Sequence, residues 1–320
     1  MATNLKEKDR ELLYELDIDC KQSLNQLAKK LKSKKTVIAY RIKRLENAGI
    51  IRGYYTLIDN FLLGYNSYRI YFVFQNTSPD IEKEIIDYFV KDKSIYFVAS
   101  TEGRFDLVVC KWTKKVEELY LLFNDLMRRY RKYIQSYLIT PYEYLLLWTE
   151  YLTKKPKFKK RIEQKFSTGK TISIDKLGLE ILKELSYNAK ASIVEIGEKV
   201  GVIPNTVKYR IKKLKQEKII KAFRTDIDFD LLEYKWFKVD INLNNYNEYE
   251  KIINFIKTNS NTFVIDKSVG LTDIEVEFHY KNVQELRNFL DKLLLQFPKS
   301  LKNYNYISMR DIYKIDFMPK

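Results

Sequence analysis

Between residues 5 and 50 apolar side chains recur at helical spacing, as Leu12, Leu13 and Leu16, then Leu24, Leu27 and Leu31, then Ile38, Ile42 and Leu45. The pattern predicts three short helices. The second should start at Ser23-x-x-Gln26, a capping box in which hydroxyl and side-chain carbonyl satisfy the first free amides. Residues 50–57 then read as a strand after a short turn, the place of the wing in a winged helix-turn-helix. From about residue 66 the order becomes strand, helix, strand, strand, helix, strand, over 68–75, 81–90, 95–100, 105–112, 116–130 and 134–139. That order is the split βαβ, ferredoxin-like arrangement.

The pattern occurs twice. An offset of 169 sets Tyr40-Arg41-Ile42-Lys43-Arg44-Leu45 on Tyr209-Arg210-Ile211-Lys212-Lys213-Leu214, Leu16 on Leu185 and Ile50-Ile51 on Ile219-Ile220. The second capping box, Ser192-x-x-Glu195, falls at the same offset, and 219–227 reads as the second wing strand. An offset of 167 then sets Gly103-x-x-Asp106 on Gly270-x-x-Asp273. The fold class is therefore α+β, two repeats of winged helix-turn-helix and ferredoxin-like βαββαβ domain. The expected domains are 1–59, 60–153, a basic linker 154–173, 174–229 and 230–320. In the linker Phe158, Ile162 and Phe166 fall at helical spacing, so it reads as either a short basic amphipathic helix or coil.

Charge sharpens this layout. The chain of 320 residues has 58 Lys and Arg against 42 Asp and Glu, a net charge of +16. By segment the balance is +5 over 1–59, 0 over 60–153, +7 over 154–173, +6 over 174–224 and −2 over 225–320. The whole excess sits on the helical modules and the linker, which points to a polyanion at those modules. Amphipathic third helices that present small polar residues first and cations later suit a major groove. In repeat one the outward residues are Lys34, Lys35, Thr36, Ala39, Tyr40, Lys43 and Arg44. In repeat two they are Asn205, Thr206, Lys208, Tyr209, Lys212 and Lys213. A plain solvated face is the alternative for either helix alone, and the doubled constellation favours double-stranded DNA.

Asp9, Leu24-x-x-Leu27-Ala28, Arg41-Ile42-x-Arg44-Leu45-Glu46-x-x-Gly49-Ile50-Ile51-x-Gly53-Tyr54 and Gly64-Tyr65, followed by Gly103-Arg104-Phe105-Asp106, resemble the Lrp/AsnC (leucine-responsive, feast/famine) transcription regulators. The second half is similar but eroded: Lys218, Ala222 and Glu233 stand where repeat one has Gly49, Gly53 and Gly64. The resemblance implies a transcriptional regulator with a sheet domain that senses a small effector such as an amino acid, near Gly103 and Asp106, and Gly270 and Asp273. Hairpin turns capped by the aspartates are the alternative for these four. Members of that family are usually single units, so a tandem chain departs from the pattern.

Strand alternation divides the sheet faces. Ile70, Phe72, Phe74, Leu107 and Val109 should lie under the helices, as should Val239, Ile241, Leu243, Ile274 and Val276. The opposite face of repeat one, Tyr71, Val73, Val108, Cys110 and Trp112, is apolar and needs cover, whereas that of repeat two, Asp240, Asn242, Glu275, Glu277 and His279, reads as half wet. Carboxylates cover an apolar face poorly, so the repeat-one faces of two chains are expected to meet in a homodimer.

One histidine and two distant cysteines, Cys20 and Cys110, give no zinc site, disulfide framework or histidine-based triad. No metal, cofactor or catalytic residue is expected. His279 reads as a solvated strand residue. The amino terminus carries no apolar signal core and no apolar run reaches a membrane helix, so a soluble cytoplasmic protein without a membrane partner is expected. Two other functions fit the layout. One is a low-specificity architectural DNA-binding protein, favoured by the lysine-rich linker. The other is an enzyme similar to siroheme decarboxylases, which resemble Lrp/AsnC proteins and occur as two-unit chains. Catalytic strands in that family are rich in histidine and arginine, and the apolar repeat-one face here is not.

Overall fold

The computed structural model describes residues 5–149, 161–270 and 272–319. Repeat one runs α1 (Glu7–Ile18), α2 (Leu24–Lys30), α3 (Lys35–Asn47), β1 (Ile51–Ile58), β2 (Asn66–Phe74), α4 (Pro79–Lys91), β3 (Ile95–Glu102), β4 (Leu107–Thr113), α5 (Val116–Tyr130) and β5 (Ile134–Trp148). A strand β6 (Glu163–Ser167) lies between the repeats. Repeat two follows as α6 (Lys176–Tyr187), α7 (Ile193–Val200), α8 (Pro204–Gln216), β7 (Ile220–Ile227), β8 (Lys235–Leu243), α9 (Tyr249–Thr258), β9 (Thr262–Ser268), β10 (Ile274–Tyr280), α10 (Val283–Gln296) and β11 (Leu301–Ile315). Of the linker, 154–160 with Phe158 lies outside the described residues. Its described part forms β6 with Phe166 buried, rather than a helix.

The elements fall into two units that cut across the repeats. One joins both helical modules. Both capping boxes form: Ser23 N–H donates to Gln26 Oε1 at 2.7 Å and Ser192 N–H to Glu195 Oε2 at 2.7 Å, with each serine hydroxyl accepting in return. The wing strands do not fold back within their own modules, and β1 instead pairs antiparallel with β7. Ile227 and Leu232 thereby enter the apolar core of the first module, beside Leu12, Leu16, Ile38 and Leu45.

The other unit joins both sheet modules. Going round the antiparallel ladders, β2 pairs with β4, β4 with β3, β3 with β11, β11 with β8, β8 with β10, β10 with β9, β9 with β5, and β5 again with β2. Eight strands thus close into a barrel, which removes the open edges a split sheet would leave. Ile70, Phe72, Leu107 and Val109 face outward under α4 and α5 as the alternation predicts, packed on Ile85, Phe89, Leu119 and Leu126.

Closure covers, within one chain, the face on which a homodimer was expected to form. Tyr71, Val108 and Cys110 are buried within the chain, against Ile307 and Met309 of repeat two, with Val73 packed alongside. Trp112 is buried too, stacked on Tyr96 and edge-on to Phe61. The repeat-two face is not wet either: Asp240, Glu275, Glu277 and His279 are all buried. Two cations make that burial tolerable. Arg69 donates to Asp266 at 3.1 Å, Glu275 at 2.9 Å and Glu277 at 2.7 Å, while Lys238 pairs with Asp240 and, at 2.7 Å, with Glu275. Tyr71 adds a hydrogen bond to Glu275 at 3.2 Å. Desolvated carboxylates are costly when alone and bearable when paired. His279 stacks on Phe263 with ring centroids 4.1 Å apart.

Candidate nucleic-acid interface

The third helices α3 and α8 occupy equivalent positions and have 13 residues each. Ile38, Ile42 and Leu45 anchor α3, and Val207 and Leu214 anchor α8, which fixes the opposite faces outward. Lys34, Lys35, Thr36, Tyr40 and Lys43 are exposed on the first. Asn205, Lys208, Tyr209, Lys212 and Lys213 are exposed on the second, with Thr206 half-buried. Tyr40 and Tyr209, equated by the offset of 169, are exposed to matching extents, 67% and 65%. Proline at the start of α8 and a left-handed Gly201 just before it set the angle of the turn. Gly197 has no alternative there, since a Cβ would lie 2.5 Å from the carbonyl oxygen of Val202.

Arg44 departs from its expected role. Its guanidinium lies 2.5 Å from the buried carboxylate of Asp9, which also holds Arg41 at 2.5 Å, so it ties α3 to α1 and is half withdrawn from the outer face. In the second module Arg210 is held by Asp175 at 2.7 Å, and Lys213 pairs more loosely with Glu217 at 3.8 Å.

The two readers are locked together about a pseudo-twofold axis. Tyr55 faces Arg224 across the β1–β7 ladder, and these are the very positions that the offset of 169 equates. Contacts on either side are reciprocal. Thr56 Oγ1 donates to the carbonyl of Leu185 at 2.7 Å, and its counterpart Thr225 donates to that of Leu16 at 3.1 Å. Cys20 N–H donates to Phe223 O and Ala189 N–H to Tyr54 O, both at 2.9 Å. The symmetry is not complete: Arg224 makes a bidentate pair with buried Asp17, at 2.8 and 2.7 Å, and Arg52 pairs with Asp226 at 2.8 Å, where the position equivalent to Asp226 is Leu57.

The four residues tied to an effector serve as turns. Asp106 accepts from the Phe74 amide and Asp273 from the Leu243 amide, each at 2.7 Å, and Gly103 and Gly270 sit at φ of +124° and +120°. Arg69 and Lys238 were missed by sequence reasoning although the alternation was visible. Arg69 is two residues from Tyr71, and Lys238 is two from Asp240, so they share the face expected to need cover and the face expected to be half wet.

Residues 174–215 match the AsnC-type helix-turn-helix domain, and residues 5–52 match a winged helix-turn-helix DNA-binding family. An uncharacterized HTH-type transcriptional regulator of Pyrococcus furiosus is 30% identical over 132 residues, which span 85% of that protein and 40% of this chain. The chain belongs to the Lrp/AsnC family of transcriptional regulators. The leucine-responsive regulatory protein of Haemophilus influenzae is 23% identical over 161 residues, 95% of its length and 48% of this chain. This Lrp/AsnC chain thus holds in one polypeptide two copies of what such relatives carry once. The crystal structure of the siroheme decarboxylase NirDL matches the whole layout, with TM-score 0.65 over 96% of this chain and 92% of that one at 13% identity. That likeness establishes a shared two-unit fold. No helix among the described residues is long and apolar enough to cross a membrane.

Proposed function

We propose that this Lrp/AsnC chain is a transcriptional regulator that grips duplex DNA with both of its helix-turn-helix modules. The observation that carries this reading is the reciprocal β1–β7 lock, which holds two outward, cation-bearing third helices in one body. In relatives with one module per chain, two such readers require two chains. Here Lys34, Lys35, Lys43, Lys212 and Lys213 supply phosphate contacts, while Thr36, Tyr40, Asn205, Thr206, Lys208 and Tyr209 lie where base edges are read. Titrating binding against salt tests it. Each phosphate contact contributes about −0.9 to the slope of log K against log salt, so Lys43→Ala and Lys212→Ala should each flatten it by about that much. Absence of duplex binding at low salt overturns the proposal. An amino-acid effector, as the family implies, would act at the exposed hairpin tips that hold Asp106 and Asp273. Ligand-induced shifts in melting temperature across the amino acids check it.

The whole-chain likeness to siroheme decarboxylase favours a second reading. Against it stands the barrel interior, where four carboxylates meet two cations and the guanidinium of Arg69 is already occupied. Such an interior repels a polycarboxylated tetrapyrrole. Siroheme added anaerobically should leave its Soret band unmoved.

A further inference from the structure

The two readers share a frame but not their side chains, and we infer that one chain recognises an asymmetric operator, two unlike half-sites of duplex DNA bound in a single orientation. This rests on the DNA-binding reading above and adds to it. Helices α3 and α8 begin and end at positions equated by the offset of 169, and Tyr40 with Tyr209, and Lys43 with Lys212, occupy matching exposed sites. These pairs impose a common element on both half-sites. At the amino-terminal turn, which reaches deepest into the groove, the two diverge. Thr36 in α3 corresponds to Asn205 in α8, and Ala39 to Lys208.

That divergence has a chemical direction. An asparagine amide matches the N6 and N7 edge of adenine, and a lysine matches O6 and N7 of guanine, whereas threonine and alanine methyls suit the methyl group of thymine. Preceding them, Lys34 and Lys35 place two cations on α3 where α8 has Ile203 and Pro204. The α3 half-site is therefore held more through phosphates and methyl contacts, the α8 half-site more through purine edges. A dimer of identical chains presents identical readers to a palindrome. Here the dyad lies inside one chain, and the Asp17–Arg224 pair on one side of it marks the two modules as non-equivalent.

Selection of the full chain on random duplexes tests the inference. The expected motif has two different halves at constant spacing, near one helical turn (about 10 base pairs), with purine contacts confined to one half. Asn205→Thr combined with Lys208→Ala, both at exposed positions, should alter base preference in that half alone and weaken binding to the selected site about ten- to hundredfold. Wild-type protein should also bind the selected site at least about tenfold more tightly than palindromes built from either half. A palindromic motif, a single half-site, or altered preference in both halves overturns the inference while leaving DNA binding intact. No enrichment of any duplex overturns the DNA-binding reading itself, and equal enrichment of all duplexes replaces this inference with low-specificity architectural binding.

Discussion

Replacing Arg69 with methionine tests whether charge pairing holds the two sheet modules together. The guanidinium is 7% exposed and lies within 3.1 Å of Asp266, Glu275 and Glu277. Methionine keeps much of the volume but leaves Lys238 as the cation facing four buried carboxylates. Removing one partner of a buried ion pair costs about 3–5 kcal/mol, a large share of the roughly 5–15 kcal/mol that stabilises a domain. Urea unfolding followed by tryptophan fluorescence is the assay, because Trp236 donates to Glu277 at 3.0 Å and Trp112 lies in the same unit. With a slope of about 3 kcal/mol per molar, the midpoint should fall by about 1 M or more. The loss should be smaller at pH 4 than at pH 7. Without their cation the carboxylates have folded-state pKa values above their unfolded ones, so acid removes the penalty and rising pH restores it. Adding Asp266→Asn and Glu277→Gln should recover most of the stability, since neutral groups need no counter-ion. A loss under about 1 kcal/mol, or one that does not depend on pH, would refute this account of the barrel.

The remaining expectations concern separate elements. Val108→Asp places a further carboxylate in the barrel and should lower the unfolding midpoint, as seen by denaturation, rather than convert dimers to monomers in light scattering. In wild-type protein, burial pushes the Asp266 carboxyl well above the usual range, whereas Lys238 and Arg69 outweigh the desolvation of Glu275 and pull it down to about 2. The Glu275 contribution is complete above its unfolded pKa of about 4.3 and should be lost as pH falls towards 2, visible in acid titration by circular dichroism and absent in Glu275→Gln. Lys218 and Glu233 keep the left-handed backbone of the glycines they replace, at φ of 60° and 62°. Lys218→Gly should therefore stabilise by about 1 kcal/mol in thermal unfolding. Arg44→Ala, which leaves buried Asp9 to Arg41, should lower the melting temperature and change the salt slope of DNA binding less than Lys43→Ala does.

Local signals were legible in the chain and long-range partners were not. Ser23 with Gln26 and Ser192 with Glu195 are capping boxes in sequence and in space, because a cap is decided within four residues. The helix-facing sheet positions followed from alternation for the same reason. A strand does not name its partner, however, and residues 50–57 read equally well as a wing or as half of the ladder with β7. Closure of the barrel depends on pairs such as Ile312 with Ala99 and Leu145 with Asp266, far apart in the chain. Arg44 looked like a phosphate ligand because its partner Asp9 is two helices away. The repeat-two face covers the repeat-one face, against expectation, because Arg69 and Lys238 pair with its carboxylates and let an acidic face cover an apolar one.

The claim that one chain contains both halves of the reader is tested most directly by stoichiometry on DNA. Native mass spectrometry of the full chain on a duplex that carries one selected operator should show one chain per duplex, with both half-sites protected in a footprint. Two chains on that duplex, each protecting one half-site, would contradict it.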